Sequence, residues 1–312
     1  MKILVMSPEY FPEEILSELK PFADVESKKL SREELMEIIH NYHIILTRIG
    51  IKFDKELLDK AENLRILATA TTGTDHIDVE YAKQKDIKVI SAPGANAVAA
   101  AEYAFGLVLS LARNVPWAFD SIKNFEFKRS EFIGNELNGK TIGIIGFGRI
   151  GSQVGRYAKT FGMKLLTYDP YINKELADEV GAYIVKLDEL IKNSDVITLH
   201  AFASPENGNM ISYDEFSKMK RDAILINVAR GSLVDEDALL DALENKKIKG
   251  AAVDVLKEEP PSTNNKLVHY SNENSNLLIT PHLGGSSWEA IYNAAKEIVQ
   301  KVKEFLINQG SN

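Results

Sequence analysis

Three side chains in the second half of the sequence carry anion-binding and acid–base chemistry. Arg230 sits in Asn227-Val228-Ala229-Arg230-Gly231, Glu259 in Asp254-Val255-Leu256-Lys257-Glu258-Glu259-Pro260, and His282 in Thr280-Pro281-His282-Leu283-Gly284-Gly285. Each follows a short apolar run that reads as a buried strand, so all three fall at the carboxyl ends of parallel strands, where open α/β sheets bind ligands. An arginine fork matches a carboxylate bidentately and polarises a neighbouring carbonyl. A histidine near neutral pKa exchanges a proton with a hydroxyl group. A carboxylate beside it orients the ring and favours its protonated form.

A second constellation lies upstream. Gly146-Phe147-Gly148-Arg149-Ile150-Gly151 is a GxGxxG run between the apolar stretch Thr141–Ile145 and the helix-like SQVGRYAKTFG. That context is what a dinucleotide fingerprint requires. Gly146 serves the tight turn, Gly148 lets backbone approach a pyrophosphate, and Gly151 lets helix and strand pack closely. The helix start at Arg149 and Ile150 offers N–H groups and a partial positive charge to the phosphates. Asp169, directly after LLTY, lies where an acid should accept hydrogen bonds from the adenosine ribose hydroxyls. No arginine follows it to hold a 2′-phosphate, and Lys174 is the only nearby base, so NAD is favoured over NADP. With a nicotinamide present, Arg230, Glu259 and His282 carry hydride transfer between a 2-hydroxy acid and its 2-oxo acid.

These residues need a scaffold of alternating strands and helices, and the chain supplies one. Apolar runs at Ile3–Met6, His43–Thr47, Leu64–Ala70 and Ile87–Ser91 read as strands. Helix starts fall between them: a capping box at Ser31-Arg32-Glu33-Glu34, and N-caps at Asp54 and Asp78. After the Ala-rich stretch Ala95–Ala112 the alternation restarts, with strands expected at Thr141–Gly146, Met163–Tyr168, Val196–His200, Ala223–Val228, Gly250–Val255 and Leu277–Thr280. A long helix is expected over Ser286–Asn308. The fold class is therefore α/β, with two doubly wound parallel sheets. The first unit opens its first turn with Ser7-Pro8-Glu9-Tyr10, which has no glycine and puts an acid where a phosphate would sit. It is expected to shape the substrate side.

Composition agrees. The chain has 312 residues, which at about 150 per domain gives two, and 45% of them are apolar. It has no cysteine, which removes thiol nucleophiles, thiolate zinc sites and iron–sulfur clusters. The net charge of −8 argues against a nucleic-acid or anionic-membrane surface. No His/Asp/Glu group shows ligand spacing, so no metal is expected. The N-terminus lacks the apolar core of a secretory signal. Ala95–Ala112 is interrupted by Asn96, Glu102 and Ser110 and reads as a buried helix rather than a membrane span. A cytoplasmic protein is expected.

The motifs GKTIGIIGFGRIG, NVARGSLVDEDAL, AAVDVLKEEP and TPHLGG, in that order, resemble the D-isomer-specific 2-hydroxyacid dehydrogenases over nearly the whole chain. The resemblance implies that Arg230, Glu259 and His282 are the catalytic residues. It selects Glu259 over Glu258, because the family's acid immediately precedes proline. It implies that Asp254 contacts the nicotinamide carboxamide, and that Val228 lies on the cofactor side. Thr71-Thr72-Gly73-Thr74-Asp75-His76-Ile77-Asp78 resembles the family's Gly-x-Asp-x-Ile-Asp loop, whose backbone N–H groups at Thr72 and Gly73 help hold the substrate carboxylate. It further implies a Rossmann NAD-binding domain over 97–285 and a discontinuous, flavodoxin-like substrate domain over 1–96 and 286–312, with the active site in a cleft that closes on ligand. Relatives are usually dimers, so a homodimer is expected, joined through the Ala-rich helix and the arm Trp117–Asn138.

Within the family, Phe132–Thr141 is most similar to phosphoglycerate dehydrogenases. Arg48, in LTRIG, matches one of their phosphate-holding positions, whereas a basic residue common in their glycine loop is replaced by Thr71 or Thr72. His200-Ala201-Phe202 also departs from the family's usual His-x-Pro. No regulatory domain follows the last helix, so serine feedback of the usual kind is not expected. The substrate stays open among 3-phosphoglycerate, glyoxylate, hydroxypyruvate and other 2-oxo acids. A non-catalytic NAD-sensing binding protein of the same fold stays open beside the enzyme. A formate dehydrogenase is disfavoured, since that enzyme carries glutamine where this chain has Glu259.

Overall fold

The computed structural model describes residues 1–309 and divides into two compact units, Met1–Asn96 with the chain from Gly285 onward, and Ala97–Gly284. In the first unit, β1 (Lys2–Val5), β2 (Asp24–Ser27), β3 (Ile44–Thr47), β4 (Ile66–Thr69) and β5 (Lys88–Ser91) form a parallel sheet ordered β2-β1-β3-β4-β5. The register sets Leu4 beside Ile45, Ile45 beside Leu67, and Leu67 beside Val89. Side chains alternate faces along a strand. That row therefore packs with Leu35, Leu57 and Leu58 on one side. Ile3, Val5, Ile44, Leu46, Ile66, Ala68 and Ile90 face the other.

The second face is covered by the helix Trp288–Gln309, which buries Ala295, Ile298, Val299 and Val302 against it. Each fully buried Ile or Val is worth about 1.5–3 kcal/mol, so this stripe fixes the returning chain on the N-terminal sheet. The expected helix starts are present: Ser31 and Glu34 form the reciprocal capping box, and Asp54 and Asp78 accept from the N–H groups of Leu57 and Tyr81.

The second unit holds β6 (Thr141–Ile145), β7 (Lys164–Tyr168), β8 (Tyr183–Ile184), β9 (Val196–Leu199), β10 (Ile224–Asn227), β11 (Gly250–Val253) and β12 (Leu277–Ile279), parallel throughout and ordered β12-β11-β10-β9-β6-β7-β8. Its order reverses at β6, from which β9 lies on one side and β7 on the other. The helix Ala97–Ala112 packs against β10, β11 and the helix Arg149–Thr160 and buries Ala100, Ala101, Ala104, Phe105 and Val108. No single helix among the described residues is long and apolar enough to cross a membrane.

Two strands were not anticipated. β8 is a two-residue edge with both residues exposed. β2, Asp-Val-Glu-Ser, has no buried residue and so no apolar signal. Charge fixes it instead: Glu26 lies 2.7 Å from both Lys2 and Lys28 and accepts the Tyr42 hydroxyl at 2.8 Å. Those three donors, Lys2 first, bring its carboxyl down to about 2. A charged edge strand also resists pairing with another sheet.

Candidate active site

The glycine loop joins β6 to the helix Arg149–Thr160. Gly146 has φ +87°, a conformation L residues rarely adopt, and a Cβ there would lie 2.4 Å from the Ala201 nitrogen. A Cβ on Gly151 would lie 2.0 Å from the Gly146 carbonyl oxygen. Glycine is therefore forced at both ends of the motif by backbone contact. Gly148 differs, because nothing lies within 4 Å of where its Cβ would be. It is the N-cap of the helix, with no side-chain cap. The open space and the uncapped amides at Arg149 and Ile150 form a cradle for an anion.

Asp169 follows β7. One carboxylate oxygen accepts the Phe147 N–H and the other accepts the Tyr171 N–H, both at 2.8 Å. It thus ties the glycine loop to the end of β7. A carboxylate has about four acceptor sites, which leaves capacity for ribose hydroxyls. On the far side of the loop, His200 donates or accepts at Thr198 Oγ1 (2.9 Å), and its buried Nδ1 has no partner. Burial brings its pKa down to about 3, so the ring is neutral.

Arg230 caps the short turn Gly231–Leu233 after β10. The Asn227 side chain brackets this turn, accepting the Ala229 N–H (3.1 Å) and donating to the Arg230 carbonyl (2.9 Å). The guanidinium donates to the Ala229 carbonyl at 2.7 Å. A Cβ on Gly231 would lie 2.1 Å from the Leu256 carbonyl carbon. The Arg230 turn therefore presses backbone to backbone on the segment that carries Glu259.

Glu259 is held at both oxygens. Oε1 accepts the Leu256 N–H at 2.8 Å, and Oε2 meets His282 Nδ1 at 2.6 Å. Burial opposes ionisation of this carboxyl. The His282 hydrogen bond, the Leu256 N–H and the nearby charges of His282 and Arg230 outweigh it and hold the carboxyl below its usual range. His282 is pushed the other way: its bond to Glu259 raises its pKa above the ordinary value, against burial and against Arg230.

His282 itself has φ +55°. The conformation is held by Asp254, which is 1% exposed. Its carboxylate accepts Thr280 Oγ1 (2.6 Å), Leu283 N–H (2.8 Å) and Gly284 N–H (2.7 Å), and its carbonyl accepts the His282 N–H (2.9 Å). Asp254 thus spends three acceptor sites on the loop that presents His282. Val228, 9% exposed, packs in the core on the face of the Ala97–Ala112 helix.

Arg230, Glu259 and His282 are thus brought together at the carboxyl ends of β10, β11 and β12, on the sheet that also carries the glycine loop. No group of three or more His, Asp or Glu residues that could hold a metal occurs among the described residues.

Residues 105–284, more than half of the chain, match the model of the D-isomer specific 2-hydroxyacid dehydrogenase NAD binding domain. The chain belongs to the D-isomer-specific 2-hydroxyacid dehydrogenase family. The cofactor of that domain is NAD, and the open cradle at Gly148 with Asp169 beside it fits a dinucleotide. The chain is 42% identical to the D-3-phosphoglycerate dehydrogenase of Methanocaldococcus jannaschii over 98% of this chain and 57% of that one. It is 40% identical to that of a Synechocystis species over 93% and 51%. The chain spans little more than half the length of these curated relatives. Among solved structures it resembles D-lactate dehydrogenase from Aquifex aeolicus, complexed with NAD and lactic acid, at 32% identity and a TM-score of 0.84 over 99% of this chain and 96% of that one.

The other residues expected to meet substrate lie in the N-terminal unit. The Arg48 guanidinium stacks on Tyr10, 4.5 Å from the ring centroid, and its buried Nε has no partner. Thr72 turns its hydroxyl toward Asn96 (2.7 Å) and the Ala92 carbonyl (3.3 Å), so the side chain braces the loop. Its N–H and that of Gly73 enter no backbone–backbone bond. Sequence reading missed Asn227, Thr280 and the Leu256 N–H. Of these only Asn227 carries a local signal, an Asx turn reaching two residues on.

Proposed function

We propose that the protein is an NAD-dependent oxidoreductase that interconverts a D-2-hydroxy acid and its 2-oxo acid, with 3-phosphoglycerate and phosphohydroxypyruvate as the pair. The observation that carries the reaction class is the Glu259–His282 pair at 2.6 Å with the Arg230 charge acting on both. Arg230 takes the substrate carboxylate and polarises the adjacent carbonyl. Glu259 holds His282 Nδ1, so the proton that reacts is the one on Nε2. His282 delivers it to the carbonyl oxygen in reduction and removes it from the hydroxyl in oxidation. Asp254 fixes the loop that aims the ring. Gly146, Gly148, Arg149, Ile150, Gly151 and Asp169 would hold NAD, with Val228 and Asp254 lining its site, and the reduced cofactor would supply the hydride. In the N-terminal unit, the Thr72 and Gly73 amides take an anionic oxygen of the substrate, and Arg48 takes its phosphate. The names of the relatives at 42% and 40% identity support the phosphorylated substrate.

The reading includes a cytoplasmic homodimer, joined through the Ala97–Ala112 helix and the arm after it. Phe125, Phe127 and Ile133 in that arm are 99%, 78% and 77% exposed, which supports a partner surface.

Phosphohydroxypyruvate, hydroxypyruvate, glyoxylate, pyruvate and branched 2-oxo acids, each assayed with NADH and with NADPH, test the proposal. Phosphohydroxypyruvate with NADH should give the highest kcat/KM. Turnover of none of them by a protein that binds NADH tightly would overturn it. The pair also makes a pH prediction. In reduction His282 must be protonated, so activity is full at low pH and falls as pH rises through its raised pKa. Glu259→Gln removes the main cause of that rise, and the alkaline limb of kcat/KM should move to lower pH. An unmoved limb would exclude Glu259 from that role.

A further inference from the structure

The loop Thr71–Asp78 follows β4, and an ordered line of side chains runs beneath it. His76 Nε2 lies 3.1 Å from Thr69 Oγ1, Thr69 Oγ1 lies 2.8 Å from Thr71 Oγ1, and Thr71 Oγ1 donates to the Gly73 carbonyl at 2.6 Å. The Thr69 side chain is wholly buried. Counting protons fixes the direction of every bond. A hydroxyl has one hydrogen to give. Thr71 gives its hydrogen to Gly73, so it accepts from Thr69. Thr69 has then spent its own, so it accepts from His76. The His76 ring must therefore carry its proton on Nε2. Burial lowers its pKa, against Asp75, and keeps the ring in the neutral form that one N–H describes.

The line ends on a peptide rather than on solvent. In a trans peptide the C=O and the next N–H point to opposite sides. Holding the Gly73 carbonyl inward on Thr71 turns the Thr74 N–H outward, and that N–H makes no backbone–backbone bond in the structure. Glycine at 73 leaves the peptide free to flip where a branched residue would resist, so something else must set it. Backbone elsewhere holds the ends of the loop: Ala92 N–H donates to the Thr71 carbonyl (2.9 Å), and Phe53 N–H to the His76 carbonyl (2.7 Å). Neither touches the Gly73–Thr74 plane.

We propose that His76, Thr69 and Thr71 form a directed hydrogen-bond relay that sets the Gly73–Thr74 peptide plane, so that the Thr74 N–H joins the amides that receive the substrate's anionic oxygen. This rests on the reading of the Thr72–Gly73 loop as an anion-holding loop. His76, Thr69 and Thr71 are positioning residues and need not touch substrate. Such a directed chain is cooperative, since each bond polarises the next.

Two measurements test it. Thr71→Val, close to isosteric, removes the final donor. It should raise KM for the 2-oxo acid roughly ten-fold, the worth of about one hydrogen bond to an ion, with kcat and the Kd for NADH near wild type. Thr71→Ser keeps the hydroxyl and should restore KM. An unchanged KM in Thr71→Val, or a Thr71→Ser variant as poor as it, would overturn the proposal. The second arm needs no turnover. Nitrogen-15 NMR of histidine-labelled protein, with the His76 resonances assigned by their loss in His76→Asn, should show protonated Nε2 and bare Nδ1. Protonation at Nδ1 alone would overturn the relay whatever the substrate is. If the wild type turns over no 2-oxo acid while the tautomer is as stated, the functional reading has failed and the relay has not.

Discussion

On the proposed function, replacing His282 with alanine should lower kcat for NADH-dependent 2-oxo acid reduction by about 10²–10⁴-fold and leave NADH affinity unchanged. The magnitude follows from the geometry. Nδ1 is committed to Glu259 at 2.6 Å, so Nε2 is the ring nitrogen left to exchange a proton. The affinity is spared because the glycine cradle and Asp169 are built from β6 and β7 with no contribution from the Thr280–Gly284 turn. Stopped-flow turnover and NADH fluorescence titration on the same variant check both halves. An alanine variant with wild-type kcat would remove His282 from the chemistry. The pair also bears on stability. The pKa of His282 is raised on folding, so its contribution is complete below the unfolded value and is lost as pH rises through the folded one. The pKa of Glu259 is lowered, so its contribution is present above the unfolded value and is lost as pH falls through the folded one. Protein in which the pair matters is therefore most stable between the two.

The second large effect comes from a residue with no chemistry of its own. Gly231→Ala places a methyl group 2.1 Å from the Leu256 carbonyl carbon and 2.5 Å from the Lys257 nitrogen. Both are backbone atoms, so no rotamer change relieves the clash, and the two segments must separate. Overpacking of this kind costs about 1–3 kcal/mol. The segments that separate carry Arg230 on one side and Glu259 on the other, so activity falls further than stability. We expect Gly231→Ala to lose at least about ten-fold in kcat/KM, since misplacement by an ångström can cost 100-fold, with a lower Tm and NADH still bound. Thermal denaturation beside steady-state kinetics decides it. Wild-type kinetics would show that the turn is not what sets Arg230 against its neighbours.

The contrast between these two residues shows what a sequence discloses. His282, Glu259 and Arg230 were legible because each follows an apolar run that can only be a buried strand and each bears a group with few structural uses there. The glycine loop was legible because its spacing is dictated by contacts inside the motif: the Gly151 Cβ position abuts Gly146, five residues away. Gly231 was silent because its neighbour is Leu256, on another strand's loop, and pairing of loops from separate strands leaves no periodic trace. Asp254 was visible through resemblance as a cofactor residue, but its three bonds into the Thr280–Gly284 turn exist only once β11 and β12 lie side by side. For the fold, ten of the twelve strands among the described residues follow apolar runs, and the two that escaped are the edges β2 and β8, one held by ion pairs and one only two residues long.

The terminal helix that covers the N-terminal sheet has a bearing on how the molecule is made. β1–β5 leave the ribosome before Ala97–Gly284, whereas Ala295, Ile298, Val299 and Val302, which help cover one face of that sheet, leave it afterwards. Until then Ile3, Val5, Ile44, Leu46 and Ile66 have Phe11, Ile15, Leu16 and Leu19 over that face but lack the helix that completes its cover. The second unit has no such debt and can close on itself as it emerges. The sheet synthesised before the second unit is therefore completed after it, and the interval between is when a chaperone has most to protect.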